Sequence, residues 1–458
     1  MSSLRNGSSK TTMRVMKLDI DVAVRGNELS GMEKHWDVLV VGAGIIGLST
    51  AYHIKKDNSD LSVLMVDRNA AAAQADTRKT MGGIRDTFSS ETNRLLAKSS
   101  IEFYQHVQNE LHFNLNLQLI GYLWLLTERE FKTFEPLETE MRKQGVRLRT
   151  YDRKDLASLI PELVLDPKTK QSNLIGIENI YKALQGLDCG IVSPELIAKF
   201  YEEEFKKQGG ELQFNTEVKS LCLEAKNKLD LPGEPHIWQE KVFSGVKTSR
   251  RFIKADTIIV ATGARTSTLL DPIGIDCLIK PKKRQVFQIK SPAAEKLINT
   301  KGFNESNTIP FTILPKSGVC LRPIRGEKSF WVTAEDDLGR GLGYEEEPMP
   351  EESYFTYGIY PILTEYFPYF ANIHPANSWA GFYDVNSIDS QPIIDRVHNC
   401  ILVVGTSGSG IIKADAVGRM AAAIFKGNDE ATLYGGRRIS TRLLRLTNRS
   451  VTKEELVV

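Results

Sequence analysis

Residues 37–54, DVLVVGAGIIGLSTAYHI, restrict what this chain can fold into more than any other stretch. Val38–Val41 is apolar at consecutive rather than alternating positions, so Asp37–Val41 predicts a strand covered on both faces, as in a parallel sheet. Gly42, Gly44 and Gly47 follow at spacings of two and three, and an apolar helical pattern runs from about Ile45 to Lys56. A second buried strand, LSVLMVD at 61–67, completes a strand–helix–strand unit of the length a parallel pair needs. In such a unit the first glycine makes the tight turn, the second lets a pyrophosphate approach the backbone, and the third lets helix and strand pack closely. The helix start adds free N–H groups and the positive end of its dipole. Asp67, 20 residues past Gly47 at the end of the second strand, is placed to accept hydrogen bonds from a ribose; its plain alternative is a cap for the next turn.

Two later segments, ADTIIVATGA at 255–264 and CILVVGTSGSG at 400–410, are again apolar strands that break into small residues. Three distant pieces are therefore expected in one parallel sheet. Between them, 101–183 and 276–378 carry alternating patterns such as GYLWLL and VCLRPI, together with an aromatic stretch at 354–370 that reads as packing or interface. The expected fold class is α/β, a parallel nucleotide-binding sheet with an inserted, mainly antiparallel α+β domain. The expected division gives the nucleotide domain 36–100, 184–275 and 379–430, and the inserted domain 101–183 and 276–378. Residues 1–35 read as a disordered or loosely docked extension, and 431–458 as a C-terminal tail. A chain of 458 residues has room for two such domains.

NAD enzymes of the doubly wound type complete their nucleotide site within about the first 150 residues. Here the supporting segments are spread over the whole chain, which favours FAD, a longer cofactor whose ring reaches the second domain. A net charge of +2 without a charge block gives no electrostatic footprint for nucleic acid. Cys189, Cys222, Cys277, Cys320 and Cys400 lie far apart and form neither a disulfide framework nor a metal site. No window approaches the roughly 20 apolar residues that span a bilayer, and a reducing, cytoplasmic setting is expected.

The segments DVLVVGAGIIGLSTAYHI, MGGIRDTF (81–88), CGIVSPELIAKFYEEEFKKQGGELQFNTEV (189–218), ADTIIVATGA, WAGFYDVNSIDSQPIID (379–395) and CILVVGTSGSGIIKADAVGRMAAAIF (400–425) carry a family resemblance. The chain resembles the FAD-dependent amine and amino-acid oxidoreductases of the D-amino-acid oxidase superfamily, in the branch of glycine oxidase, sarcosine oxidase and dimethylglycine dehydrogenase. The resemblance implies a Rossmann-like FAD-binding domain in which Gly42, Ala43, Gly44, Ile45, Ile46 and Gly47, with Asp67 and Arg68, hold pyrophosphate and adenosine ribose. It implies that Thr80, Met81, Gly82 and Gly83 pass beside the flavin and that Val218 meets the adenine through its backbone. Ala261, Thr262 and Gly263 would line the crevice near the pyrophosphate. Gly408, Ser409, Gly410, Ile411 and Ile412 would aim a helix N-terminus at the pyrimidine side of the ring, where reduction leaves negative charge.

The implied reaction is oxidation of a small amino acid or N-methylated amino acid to an imine by hydride transfer to flavin N5. The chain's task is then chiefly to orient the substrate and hold its carboxylate, which points to cations. Arg85 and Arg322 are candidates for a bidentate carboxylate contact, and Lys413 lies one residue from a substrate-contacting lysine of the family. Their plain alternatives are a loop ion pair for Arg85, a buried or surface pair for Arg322 and a helix cap for Lys413. Tyr122 and Tyr383 are candidate pocket walls, and Lys328 is a candidate for supporting oxygen reactivity. Phe382 stands near where the sarcosine oxidase type places its flavin-linking cysteine, and Thr80 near where the dimethylglycine dehydrogenase type places its histidine, so noncovalent FAD is expected. Oxidase and dehydrogenase both remain open, with dioxygen or a redox partner as acceptor, and further copies of the chain are an open option. The rival readings are a 2-hydroxy acid dehydrogenase of the 2-hydroxyglutarate type, which wants a histidine base, and a flavin-fold subunit or assembly factor without its own catalysis.

Overall fold

β1 (Trp36–Val41) has apolar side chains on both faces because both faces are covered. Val38 and Val40 pack with Leu48 and Ala51 of α1 (Ile45–Asp57) and with Val417 and Met420 of α3 (Gly410–Phe425). Leu39 and Val41 pack on the other side with Val66, Val260, Leu269 and Leu402. Each such side chain removed from water contributes about 1.5–3 kcal/mol, and a one-residue slip would expose no polar face. The pairing register is therefore set at the turn, where Gly42 N–H donates to Val66 O (2.9 Å) and Ala261 N–H to Val41 O (3.0 Å).

The computed structural model describes residues 34–335, 339–447 and 449–456; of the expected extension 1–35, all but Lys34 and His35 lie outside the described residues. β1 pairs in parallel with β2 (Val63–Val66) and with β3 (Phe252–Val260), and β3 pairs in parallel with β4 (Cys400–Val404). Glu211–Gln213 continues the parallel sheet beside β2, while Ile393–Val397 closes the other edge antiparallel to β4. Three distant parts of the chain thus meet in one sheet, with the three strand ends that break into small residues on the same edge.

The second sheet runs in the order 375–386, 279–290, 329–333, 320–324, 311–313, 122–126, 182–186 and 148–151. All its pairs are antiparallel except Phe311–Ile313 with Tyr122–Leu126. Its outer face packs Leu123, Phe287 and Phe330 against Phe355, Tyr366, Phe367 and Phe370, so most of the aromatic stretch is core; Tyr357, at 81% exposure, is not. The inner face carries Tyr122, Phe311 and Cys320 toward the first sheet.

Two stretches fall across the expected divisions. α2 (Glu91–Asn109) runs past residue 100 and buries Ile101, Tyr104 and Val107 in the core of the parallel sheet. The strand Pro375–Asn386 pairs along Ile279–Ile289 in the second sheet and extends beyond 379. The tail, finally, is tied down. After a hairpin of Glu430–Thr432 and Arg438–Ser440 the chain turns back, Arg449 pairs with buried Asp389, and Glu454 N–H donates to Asp389 O (3.0 Å).

Candidate active site

A cleft of about 1410 Å³, counting its solvent-open part, runs along the edge of the parallel sheet where the strands break. Gly42 has φ +107°, a conformation that strains any L side chain, and a Cβ there would overlap the Ala261 carbonyl oxygen. A Cβ on Gly47 would overlap the Gly42 carbonyl oxygen, so the helix can lie this close to the strand only with glycine at that position. The turn is held by Asp67, whose carboxylate accepts from Ala43 N–H (2.7 Å) and from Asn69 N–H (2.8 Å), and by Thr77, whose hydroxyl accepts from Ile45 N–H (3.1 Å). The N-cap residue Gly44 offers α1 no side-chain cap and the first turn holds no acidic residue, so apart from the Ile45 N–H taken by Thr77 the positive end is open to an anion.

Gly44, Ile45 and Ile46 line the cleft with Asp67 and Arg68, as do Val218 and, beside the glycine turn, Ala261, Thr262 and Gly263. Arg68 donates to the Tyr344 hydroxyl (2.9 Å) and to Glu346, which draws residues 344–346 of the second sheet's connections over this end. At the far end stand Thr80, Tyr383, Gly408, Gly410 and Ile411. α3 also begins without a side-chain cap or an acidic first-turn residue. The loop before it is shaped by buried Asp384, which accepts from Gly405 N–H (2.8 Å), Thr406 N–H (3.0 Å) and the Thr406 hydroxyl (2.9 Å). Burial raises the Asp384 carboxyl, and these donors oppose that rise.

Beyond Thr80, Tyr383 and Gly408, which line both spaces, opens a smaller cavity of about 640 Å³, again counting its solvent-open part. Its walls are aromatic: Tyr122 and Phe311 stack with centroids 4.2 Å apart, and Phe88 and Tyr383 face in from other segments. Arg85 lies 4.0 Å over the Phe88 ring and donates to the carbonyls of Thr87 and Leu456. A guanidinium has five N–H donors, so donors remain for a ligand. The Lys413 ammonium nitrogen is buried at the same wall, 4.7 Å over Phe88, with no hydrogen-bond partner, and burial draws it down to about 7.

The C-terminal segment closes this cavity. The Glu454 carboxylate accepts from Ser89 N–H (2.8 Å), Ser90 N–H (3.1 Å) and Asn93 Nδ2 (2.9 Å) at the start of α2, and Leu456 is buried among the inner-face residues. Burial works against the Glu454 charge, but Arg85 and these donors outweigh it and hold the carboxyl below its usual range.

The sequence candidates divide accordingly. Gly42, Gly44, Ile45, Ile46, Asp67, Arg68, Thr80, Val218, Ala261, Thr262, Gly263, Gly408, Gly410 and Ile411 come together at the cleft, and Met81, Gly83, Arg85, Ser409, Ile412 and Lys413 at the cavity. Ala43, Gly47 and Gly82 lie behind these walls. Arg322 lines neither space: its guanidinium donates to Met81 O and to Val192 O (3.1 Å) and covers Trp331 at 4.7 Å, so it braces the segment that separates cleft from cavity. Burial lowers it to about 10, still a cation at neutral pH. Lys328 sits on an exposed turn against Glu295 (3.1 Å), away from both spaces. Asp384 lies in the segment 379–395 but, like Thr77, Phe311 and Glu454, had no sequence pattern to single it out, since each acts on partners far away in the chain. Among the described residues no cluster of histidine, cysteine and carboxylate groups could hold a metal ion, and no helix is long and apolar enough to cross a membrane.

A parallel sheet with a glycine turn at its first strand, a second helix start at the far end of the cleft and a largely antiparallel sheet packed over it are the features of a dinucleotide-binding fold. The chain belongs to the DAO family, FAD dependent oxidoreductase, whose model matches residues 37–424. It is 24% identical over 422 residues to FAD-dependent oxidoreductase domain-containing protein 1 of Xenopus laevis, covering 85% of this chain and 79% of that one. Glycine oxidase of Pseudomonas aeruginosa is 23% identical over 86% of this chain and 95% of its own. Among solved structures, L-proline dehydrogenase from P. horikoshii superposes with a TM-score of 0.69 at 23% identity, covering 87% of this chain and 95% of that one.

The cleft suits the family's cofactor: it takes in the starts of α1 and α3, which suit the pyrophosphate and an anionic ring edge, and Asp67 stands at the ribose end.

Proposed function

We propose that this protein oxidises a small amino acid or N-methylated amino acid to an imine, which water then releases as the oxo product. The observation that carries this reading is the aromatic cavity holding Arg85 and Lys413, which opens off the cofactor cleft at Thr80, Tyr383 and Gly408. FAD, when bound, supplies a two-electron acceptor. The Arg85 fork takes the substrate carboxylate, a charge-assisted contact worth about 1.5–3 kcal/mol. Tyr122, Phe311 and Phe88 exclude water and limit the size of the substrate, and Arg322 keeps Met81 in position between the two spaces. Glycine oxidase and L-proline dehydrogenase among the similar proteins support an amino-acid substrate. Cys320 is the one thiol among the residues lining cleft and cavity, no histidine lines either, and burial pushes the Cys320 thiol up, which supports noncovalent FAD. All five cysteines stand unpaired, which suits a reducing compartment such as the cytoplasm.

A 2-hydroxy acid substrate calls for a base beside the hydroxyl; no histidine lines the cavity, so that role would fall to Lys413, and reduction of the flavin separates the two substrate classes. The deciding experiment is anaerobic. The FAD-loaded protein is mixed with glycine, sarcosine, D-amino acids, L-proline and 2-hydroxy acids, and the flavin absorbance is followed. Bleaching by amino acids is expected. Bleaching by hydroxy acids alone overturns the amine reading, and bleaching by none of them returns the protein to the reading of a flavin-fold subunit. Reoxidation in air then distinguishes dioxygen from a redox partner as acceptor.

A further inference from the structure

Lys413 is the one buried cation of the cavity wall that no described group satisfies. Its side chain is 0% exposed and its nitrogen has no hydrogen-bond partner, whereas Arg85 beside it is bonded to two carbonyls. A buried ammonium without partners is costly, so such a lysine sheds its proton. It stands in the first turn of α3, at the positive end of the helix dipole, which disfavours a further positive charge. The groups around it are few. Arg85 opposes its charge, while Glu454 on the C-terminal segment and Asp384 on the strand Pro375–Asn386 favour it. The Glu454 carboxylate is committed to α2 and Asp384 to the Gly405–Thr406 loop. Tyr122, Tyr383 and Cys320 also line the cavity, and burial raises all three, so they face the amine uncharged. From α2, Tyr104 spends its hydroxyl on Ile411 O (2.8 Å). Further along α3, Asp415 is taken by His53 (2.8 Å) and Arg419 (2.6 Å). The balance brings the amine to about 7, against an ordinary 10.5.

An amino acid enters from water as an ammonium, and its nitrogen must regain a lone pair before it can be oxidised. We infer that Lys413 is a catalytic residue whose amine accepts the ammonium proton of the bound amino acid. One N–H bond of the substrate breaks, its electron pair stays on the substrate nitrogen, and the proton is held on Lys413 Nζ. The new cation then faces the Phe88 ring at 4.7 Å, a favourable cation–π position. The carboxylate is left to Arg85. This inference rests on the amine reading above and assigns that site its base.

The test uses FAD-loaded wild type, Lys413→Met and Lys413→Arg, with anaerobic reduction by an amino acid followed from about pH 6 to 10. The wild-type rate at saturating substrate is expected to rise with pH and level off, with its midpoint near 7. Lys413→Met should lose about 500-fold at pH 7 and regain rate as the midpoint moves toward that of a free alkyl amine, about 10. Lys413→Arg keeps the cation but cannot release a proton, so it should be as slow as the methionine variant at neutral pH. Recovery of wild-type rates by Lys413→Arg, or an unmoved midpoint in Lys413→Met, overturns the inference and leaves the lysine a charge contact. The pH series uses whichever amino acid of the panel reduces the wild type; if none does, the amine reading falls and takes the inference with it.

A second measurement does not need turnover. Because the folded protein binds the lysine proton less readily than the unfolded chain, wild-type stability should rise between about pH 7 and 10.5 from this group. Lys413→Met should therefore melt higher than wild type at pH 7, with the gap closing toward pH 10. Equal melting curves at both pH values overturn the inference.

Discussion

The cofactor cleft and the cavity at its end are built in different ways. The cleft is built largely on backbone, with glycine turns, two helix starts and strand ends, each a local pattern that Asp67, Thr77, Ala261 and Asp384 then brace from other segments. The cavity is made of side chains from at least six separate segments, including Arg85, Tyr122, Phe311, Cys320, Lys413 and Glu454. Backbone geometry of this kind tolerates few residue types and serves any substrate that the same cofactor can oxidise. Side-chain walls accept many residues and decide which substrate fits. The cleft thus serves the cofactor, while the cavity is the part that selects the substrate.

If that contrast is sound, damage to the backbone turn should abolish cofactor binding outright, while damage to the cavity should leave a yellow protein. Gly47→Val places carbon atoms on the Gly42 carbonyl, which neither α1 nor β1 can vacate. It should yield colourless protein, with overpacking of about 3 kcal/mol or more, as read by flavin absorbance and circular dichroism. Retained FAD would break the comparison at its strongest point.

The seam between the regions gives a sharper case. A Cβ on Gly83 would overlap the Tyr122 hydroxyl, so Gly83→Ala should destabilise by about 1–3 kcal/mol and impair both regions together. Adding Tyr122→Phe removes the overlapping oxygen and should restore part of the loss in thermal melts. No restoration would mean that the glycine serves the cofactor rather than the wall.

Arg85→Ala should keep FAD and weaken carboxylate substrates by about 1.5–3 kcal/mol, a tenfold to 100-fold rise in KM. Arg85→Lys should recover only part of this, since it lacks the planar fork. Loss of FAD from either variant would place Arg85 on the cofactor side instead.

The smallest effect is expected at the chain's end. Glu454→Gln keeps the shape of the closing segment but weakens the contacts at the start of α2, costing about 1 kcal/mol and speeding proteolysis after residue 449. The native Glu454 carboxyl lies below its unfolded value of 4.5, so its contribution is complete above that value and is lost as the pH falls through the folded one. Proteolysis of the wild type should accelerate on acidification while that of the variant changes less.

Much of the cleft was legible in the sequence because its chemistry is local. DVLVVGAGIIGLSTAYHI carries strand, turn and helix in 18 consecutive residues, and the requirement for glycine at positions 42 and 47 leaves a spaced signature. The same holds for GTSGSG before α3. Asp67 was legible as a position, but its bonds to Ala43 and Asn69, which join the ribose end to the turn itself, were not. Arg322 shows the opposite limit. A strand arginine with a bidentate fork reads as a carboxylate partner, yet the structure commits it to Met81 and Val192.

The sequence by itself thus determined the parallel sheet, the glycine turn and the nucleotide it suits, because hydrophobic runs and glycine spacing act over one strand or one turn. Only the tertiary structure decided that Lys413 is left without a partner, that Arg85 faces the same space, and that Glu454 and Leu456 return across 361 and 371 residues to close it. Burial and charge balance are sums over everything packed around a group, and that sum is not written in any segment of the chain.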